Sequence, residues 1–125
     1  MPLNLCKRLL HITFTHNHPD HIGMIPAFYD NPAVKWDLPR IDFTSVADKF
    51  PAENSSFYDE NGHVFDLGGV QVETLLAPGH TDGSVLFLVK SLNLLFTGDA
   101  LGSGQGVWIF NASSLEKFMN SVPVV

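Results

Sequence analysis

The most informative stretch of this sequence is Thr15-His16-Asn17-His18-Pro19-Asp20-His21-Ile22-Gly23. It places three imidazoles and one carboxylate within six positions, directly after a β-type run. Side chains at positions i and i+2 of a strand point the same way, so we predict that His16 and His18 leave the strand end as a parallel pair. Pro19 removes a backbone donor and ends strand pairing, so Asp20 and His21 approach the same space from another direction. Such a set of ligands suits zinc, and iron or manganese less selectively.

The composition indicates one globular domain. The chain has 125 residues, of which 45% are hydrophobic and 16% are charged, and this length suffices for one core. The net charge of −6 disfavours nucleic acid as a partner. The single cysteine, Cys6, excludes an internal disulfide and fits a reducing compartment. Lys7 and Arg8 interrupt the stretch where a signal peptide would be apolar, and no apolar run approaches the ~20 residues that span a bilayer. We therefore expect a cytoplasmic protein without a membrane partner.

The first half of the chain predicts alternating strands and helices. Residues 9–15 form an apolar strand that delivers the histidines, and residues 22–29 have apolar side chains at helical spacing. A short strand is expected at 34–36 and a short helix at 44–50. Residues 51–61 are polar and predict a surface loop.

The second half predicts a β meander. Gly68-Gly69 forms a tight turn between two alternating runs, and two nearly continuous apolar runs follow, which indicates strands covered on both faces. A capping box at Ser113 to Glu116 predicts a final helix. The predicted strands are 63–67, 70–76, 84–89 and 94–97.

Two further residues of types that can bind metals follow the ends of predicted strands. His80 lies in a loop bracketed by Gly79 and Gly83, and Asp99 follows Gly98. Each pattern alone is also common turn chemistry. A lone histidine is usually a surface or core residue, and we assign His11 and His63 to that class.

These three stretches resemble successive motifs of the metallo-β-lactamase superfamily. The first motif of that family is His-x-His-x-Asp-His, and later motifs are Gly-His and Gly-Asp. The matching residues are His16, His18, Asp20, His21, His80 and Asp99. The resemblance implies an α/β fold, an αββα sandwich with a metal site at one edge of its two sheets.

The resemblance also implies residue roles. One ion would be held by His16, His18 and His80. Asp20 and His21 would hold a second ion, with Asp99 bridging the two. The implied cofactor is zinc, one or two ions per chain, with iron or manganese as alternatives.

The implied reaction is the attack of a metal-bound hydroxide on an ester, thioester, lactone or amide carbonyl of a small acyl substrate. Asp20 would orient the nucleophile and take up its proton. Thr81 and Thr97 either support the ligands by hydrogen bonds or belong to the turns.

The chain departs from the family in two places. Only about fifteen residues precede the first motif, and no histidine follows His80. We therefore expect residues 1–125 to be a single domain that lacks N-terminal strands and the C-terminal ligand segment, a fold incomplete at both ends. A homo-oligomer that covers exposed sheet surface is an associated expectation.

Three functions remain open at this point. The first is a zinc hydrolase similar to glyoxalase II or to lactonases. The second is an oxidoreductase similar to persulfide dioxygenases, which would use one iron held by His16, His80 and Asp99. The third is a non-catalytic fragment. Metal identity and stoichiometry discriminate among them.

Overall fold

The computed structural model describes residues 9–101, and its first sheet is parallel. The strands are β1 (Leu10–Ile12), β2 (Val34–Pro39) and β3 (Ser55–Tyr58), paired in that order. Parallel neighbours need long crossover connections, because each strand must start again at the same end of the sheet. Here the crossovers carry the helices.

The second sheet is an antiparallel meander of four strands, paired in chain order. Its strands are β4 (Val64–Asp66), β5 (Gln71–Leu76), β6 (Val85–Val89) and β7 (Leu94–Phe96). The β4–β5 turn uses Gly68 and Gly69 at φ values of 82° and 111°, a region that side chains disfavour. The predicted meander is confirmed, with strand ends that differ by at most one residue.

The helices are short and occupy the two crossovers and one turn. They are α1 (Pro19–Ile22), α2 (Ile25–Phe28) and α3 (Arg40–Phe43), with 3-10 helices at Thr44–Lys49, Ala52–Asn54 and Lys90–Leu92. No helix in the described part of the chain has the length and apolar composition needed to cross a bilayer.

The main core lies between one face of the parallel sheet and its helices. Phe14 packs on Phe43 with a ring-centroid separation of 5.1 Å, and Trp36 is fully buried. The core residues are Ile12, Phe14, Ile25, Val34, Trp36, Leu38, Phe43 and Phe50. On the opposite face, a cavity of about 220 Å³ is lined by residues of both sheets, including His11 and Asp37 on one side and Phe87 and Phe96 on the other. The layers are those of an α/β sandwich, as predicted.

Two predictions for the first half were wrong in extent. The strand expected at 9–15 covers only Leu10–Ile12, because β1 pairs with β2 over three residues and the chain then turns toward the other sheet. There the Thr15 carbonyl accepts a hydrogen bond of 2.8 Å from the Val85 amide. The helix expected at 22–29 is shorter, because only Ile25–Phe28 form α2, whereas Ile22 ends the separate helix α1 and residues 23 and 24 form a turn.

Two further predictions were wrong in kind. The loop expected at 51–61 contains a 3-10 helix and β3. The strand β7 was expected to be covered on both faces, yet its three side chains are exposed. Within residues 9–101 it is an edge strand that pairs only with β6. The glycine-rich segment at 102–106 and the helix predicted from Ser113 lie outside the described residues.

Candidate metal centre

Three strand ends bring the predicted ligands to one place. His16 and His18 lie in the loop between β1 and α1, and His21 lies in α1. His80 follows β5 and Asp99 follows β7. Strands β5 and β7 run in the same direction, because the antiparallel β6 lies between them, so both loops leave the same edge of the sheet.

The side chains form two overlapping groups that could each hold a metal ion. The first group is His16, His18 and His80, and the second is His16, His21 and Asp99. Within each group, the ligand atoms all lie within 4.8 Å of one another. The prediction of a parallel pair on a strand needs correction, because His16 and His18 meet from a loop with rings 4.7 Å apart and nearly perpendicular.

Asp99 stands at the centre of the cluster. Its Oδ2 atom lies 3.1 Å from His21 Nε2, 3.4 Å from His80 Nε2 and 3.6 Å from His16 Nε2. His80 Nε2 also lies 3.1 Å from His18 Nδ1. One carboxylate oxygen is thus shared by three imidazoles, an arrangement in which Asp99 can serve both groups.

The environment of His16 keeps its imidazole neutral. Burial, followed by the neighbouring His21, His18 and His80, lowers the pKa of His16 to about 4, against the opposing effect of Asp99. The Nδ1 atom lies 3.0 Å from the Thr15 hydroxyl. The neutral form is the one that offers a lone pair to a metal ion.

The donor set fits a metal ion. His16 Nε2 is buried and has no hydrogen-bond partner among residues 9–101, although a buried polar atom normally has one. Ligand atoms around a tetrahedral ion with bonds of 2.0–2.2 Å lie roughly 3.3–3.6 Å apart. The separations of His80 and His16 from Asp99 Oδ2, 3.4 and 3.6 Å, fall in that range. The histidines are therefore positioned for metal binding, and these contacts leave the identity of the metal open.

Asp20 differs from the other predicted ligands. Its side chain is 77% exposed, and its Oδ2 atom lies 3.4 Å from His21 Nε2. It belongs to neither group of converging ligands. The structure therefore brings five of the six predicted residues together and places Asp20 at the rim.

Two residues that support the site were not predicted. Thr15 contacts His16, and it also lies under the turn before Asp99, where a Cβ on Gly98 would come within 2.5 Å of the Thr15 hydroxyl. Asp42, in α3, accepts hydrogen bonds from two of the ligand-bearing loops. The role of Thr15 could have been predicted from its position next to His16. The role of Asp42 could not, because it depends on contacts with residues 25 to 41 positions away in the sequence.

The remaining candidates have other partners. Thr81 donates a hydrogen bond of 2.7 Å to Asp42 Oδ2, and the Thr97 hydroxyl donates to the Gly98 carbonyl. His11 lies 2.7 Å from Asp37, and the ring of His63 stacks on Tyr58. His11 and His63 belong to neither group.

The sequence as a whole matches a known family. The family model described as the metallo-beta-lactamase superfamily matches residues 7–122. The chain therefore belongs to the metallo-beta-lactamase superfamily, in agreement with the resemblance of its three motifs.

Individual relatives show how much of a full member this chain spans. The probable metallo-hydrolase YqgX of Bacillus subtilis (strain 168) is 32% identical, across 76% of this chain and 51% of that protein. The mitochondrial persulfide dioxygenase ETHE1 of Bos taurus is 33% identical, across 75% of this chain and 34% of that protein. The crystal structure of metallo-beta-lactamase IND-7 superposes with a TM-score of 0.72 at 20% identity, over 91% of this chain and 53% of that one. The chain thus spans between about a third and a half of the length of these curated relatives, and IND-7 supports the fold alone.

Proposed function

We propose that this chain is a metal-dependent hydrolase that acts on an ester, thioester, lactone or amide carbonyl of a small substrate. The observation that carries the proposal is the convergence of His16, His18 and His80, and of His16, His21 and Asp99, within 4.8 Å. Membership of the superfamily and the similarity to a protein described as a probable metallo-hydrolase support it.

In this proposal, each residue of the cluster has a distinct role. His16, His18 and His80 would hold one zinc ion, while His21 and Asp99 would border a second position, with Asp20 at its rim. Bound zinc supplies Lewis acidity, which makes water a nucleophile near neutral pH and polarises a carbonyl. Asp20, the carboxylate at the exposed rim of the cluster with its Oδ2 atom 3.4 Å from His21 Nε2, would accept the proton of the attacking water. Asp99 keeps the His16, His21 and His80 rings directed at one point.

A second candidate function is persulfide oxidation with a single iron. Its ligands would be His16, His80 and Asp99, and Asp99 Oδ2 lies 3.6 and 3.4 Å from the Nε2 atoms of these two histidines. The similarity to the bovine persulfide dioxygenase supports this alternative. Such a site would use His18 and His21 as neighbours of the iron and not as ligands.

Metal content tests the two candidates against each other. The purified chain would be analysed for zinc, iron and manganese, beside His16→Ala, His80→Ala and the control His63→Ala, which lies outside both groups. We expect one or two zinc ions, lost in the first two variants and retained in the control, together with zinc-dependent hydrolysis of a panel of thioesters, lactones and esters.

Two outcomes contradict the hydrolase. One iron per chain with oxygen uptake in the presence of a persulfide would establish the second candidate. A folded chain that takes up neither zinc nor iron when both are offered would be a non-catalytic member of the family.

A further inference from the structure

Asp42 joins two loops that carry metal ligands. Its Oδ2 atom accepts hydrogen bonds from the Asn17 amide at 3.3 Å and from the Thr81 hydroxyl at 2.7 Å. Its Oδ1 atom accepts a hydrogen bond of 2.9 Å from the Gly83 amide. The Asp42 carbonyl also accepts from the Asn17 side chain at 3.4 Å. One residue in α3 therefore receives four hydrogen bonds from two other segments.

Two of the three residues that donate to Asp42 are immediate neighbours of the candidate ligands. Asn17 lies between His16 and His18, and Thr81 follows His80. The three histidines of the first group thus reach the site from two loops, one after β1 and one after β5, and Asp42 contacts both. A displacement of either loop relative to α3 would separate ligand atoms that now lie within 4.8 Å.

The loop after β5 also packs directly on α3. A Cβ atom added to Gly83 would lie 2.7 Å from Asp42 Oδ1, 2.9 Å from the Asp42 amide nitrogen and 2.8 Å from Ile41 Cβ. Only a residue without a side chain allows this approach. The Ser84 hydroxyl, 2.7 Å from the Thr81 hydroxyl, extends the same network into the buried start of β6.

We propose that Asp42 is a positioning residue that holds the His16–His18 loop against the His80 loop and thereby sets the affinity of the site for a metal ion. The inference rests on the proposed function, because it concerns the same site. A carboxylate suits this role, because hydrogen bonds to an ionised acceptor are stronger than neutral ones and its two oxygens serve donors on two sides. An amide would retain only one accepting oxygen.

The test compares Asp42→Asn with wild type in two independent measurements on the full chain. The first is the zinc dissociation constant from competition with a chromophoric chelator, which we expect to rise at least tenfold, as for other residues that orient ligands through hydrogen bonds. The second is hydrogen exchange of the Asn17 and Gly83 amides in the metal-free chain. Because the variant keeps one acceptor, we expect at least one of these amides to exchange about tenfold faster.

Three further variants separate positioning from a general loss of stability. Asp48→Asn removes a negative charge from an exposed position close by in the chain and should leave both measurements unchanged. Val34→Ala weakens the core at the start of β2, where that strand pairs with Leu10, and should lower stability without changing the zinc affinity of the folded chain. Thr81→Val removes one hydrogen bond to Asp42 and should weaken zinc binding in the same direction as Asp42→Asn, by a smaller factor, even if Asp42→Asn does not fold.

The outcomes are distinct. Wild-type zinc affinity in Asp42→Asn or, where that variant does not fold, in Thr81→Val would overturn the proposal. Unchanged exchange at both amides in Asp42→Asn would overturn it as well. If the wild-type chain binds no zinc, the proposed function fails, and the exchange measurement alone then decides whether Asp42 holds the two loops.

Discussion

His16 is the residue that the two groups of ligands share. Its ring is fully buried among three other imidazoles, and only Asp99 favours its protonated form. A buried group whose charged form is disfavoured links stability to pH, because the unfolded chain binds a proton that the folded chain resists.

The metal-free chain should therefore lose stability in mild acid. The unfolded chain protonates His16 near pH 6.5, while burial and the neighbouring imidazoles lower the pKa of His16 in the folded chain to about 4. The contribution of His16 to folding is then complete above pH 6.5 and is lost as the pH falls toward 4, by on the order of 3 kcal/mol. Urea unfolding of the metal-free chain at a series of pH values would measure it.

Two variants identify the source of that loss. His16→Asn should flatten the dependence between pH 6.5 and 4, because the titrating group is gone. His11→Asn, a change at an exposed histidine outside both groups, should retain it. An equally steep pH dependence in His16→Asn would assign the effect to other groups.

At the scale of single elements, the turn between β7 and Asp99 needs a glycine at position 98 for two reasons, a positive φ angle and a close contact with Thr15. Gly98 has a φ of 53°, and a Cβ at this position would come within 2.5 Å of the Thr15 hydroxyl and 2.7 Å of Thr15 Cβ. Gly68, in the β4–β5 turn, has a φ of 82°, yet a Cβ there would meet nothing within 4 Å. An alanine would meet unfavourable backbone dihedral angles at both positions but would clash with neighbouring atoms only at Gly98.

Gly98→Ala should be the more damaging of the two substitutions. Gly68→Ala should lower the unfolding free energy by about 1–2 kcal/mol, the cost of placing a residue with a Cβ at a positive φ angle. Gly98→Ala should cost about 3 kcal/mol, because overpacking against Thr15 is added to the same strain. It should also weaken zinc binding, since Thr15 contacts His16 Nδ1 and Asp99 follows the turn. Equal losses of stability in the two variants, with equal zinc affinities, would show that the Thr15 contact has no role.

The elements also show what could be predicted from sequence. The β4–β7 meander was predictable because each strand pairs with the next strand in the chain, and Gly68-Gly69 marks a turn. The strand β3 was missed because Ser55 and Ser56 interrupt the apolar pattern, and its pairing with β2 is parallel and not local. The cluster of His16, His18 and His21 was predictable from residue type and spacing, whereas His80 and Asp99 were assigned to the site through the family resemblance. Asp42 was not predictable, because nothing in its own neighbourhood in the chain distinguishes it from a surface acid.

At the scale of the whole molecule, the antiparallel sheet ends in an apolar edge. Leu94, Leu95 and Phe96 of β7 are 36–55% exposed, and within residues 9–101 the strand pairs only with β6. An exposed apolar strand with unpaired backbone groups is a template for association with another chain.

We therefore expect the chain to self-associate as its concentration rises, and Leu94→Lys, at an exposed position of β7, to reduce that association. A lysine on β7 places a charge where a second strand would dock. Sedimentation velocity over a concentration series would measure the effect. Ser91→Lys, which adds the same charge at an exposed position before β7, is the control and should associate as wild type does. A wild-type chain that stays monomeric throughout the series would refute the expectation.

The placement of the ligands also bears on the order of events when the chain folds. His16 and His18 follow the parallel sheet, whereas His80 and Asp99 leave the antiparallel one, so ligands that meet in space are separated by more than sixty residues of chain. Contacts of such high sequence separation form late, because the entropy of closing long loops must be overcome before they contribute any stability. The complete site can therefore arise only once both sheets have formed and docked. We therefore expect an ion to be captured at full affinity only by chains in which the two sheets are already docked.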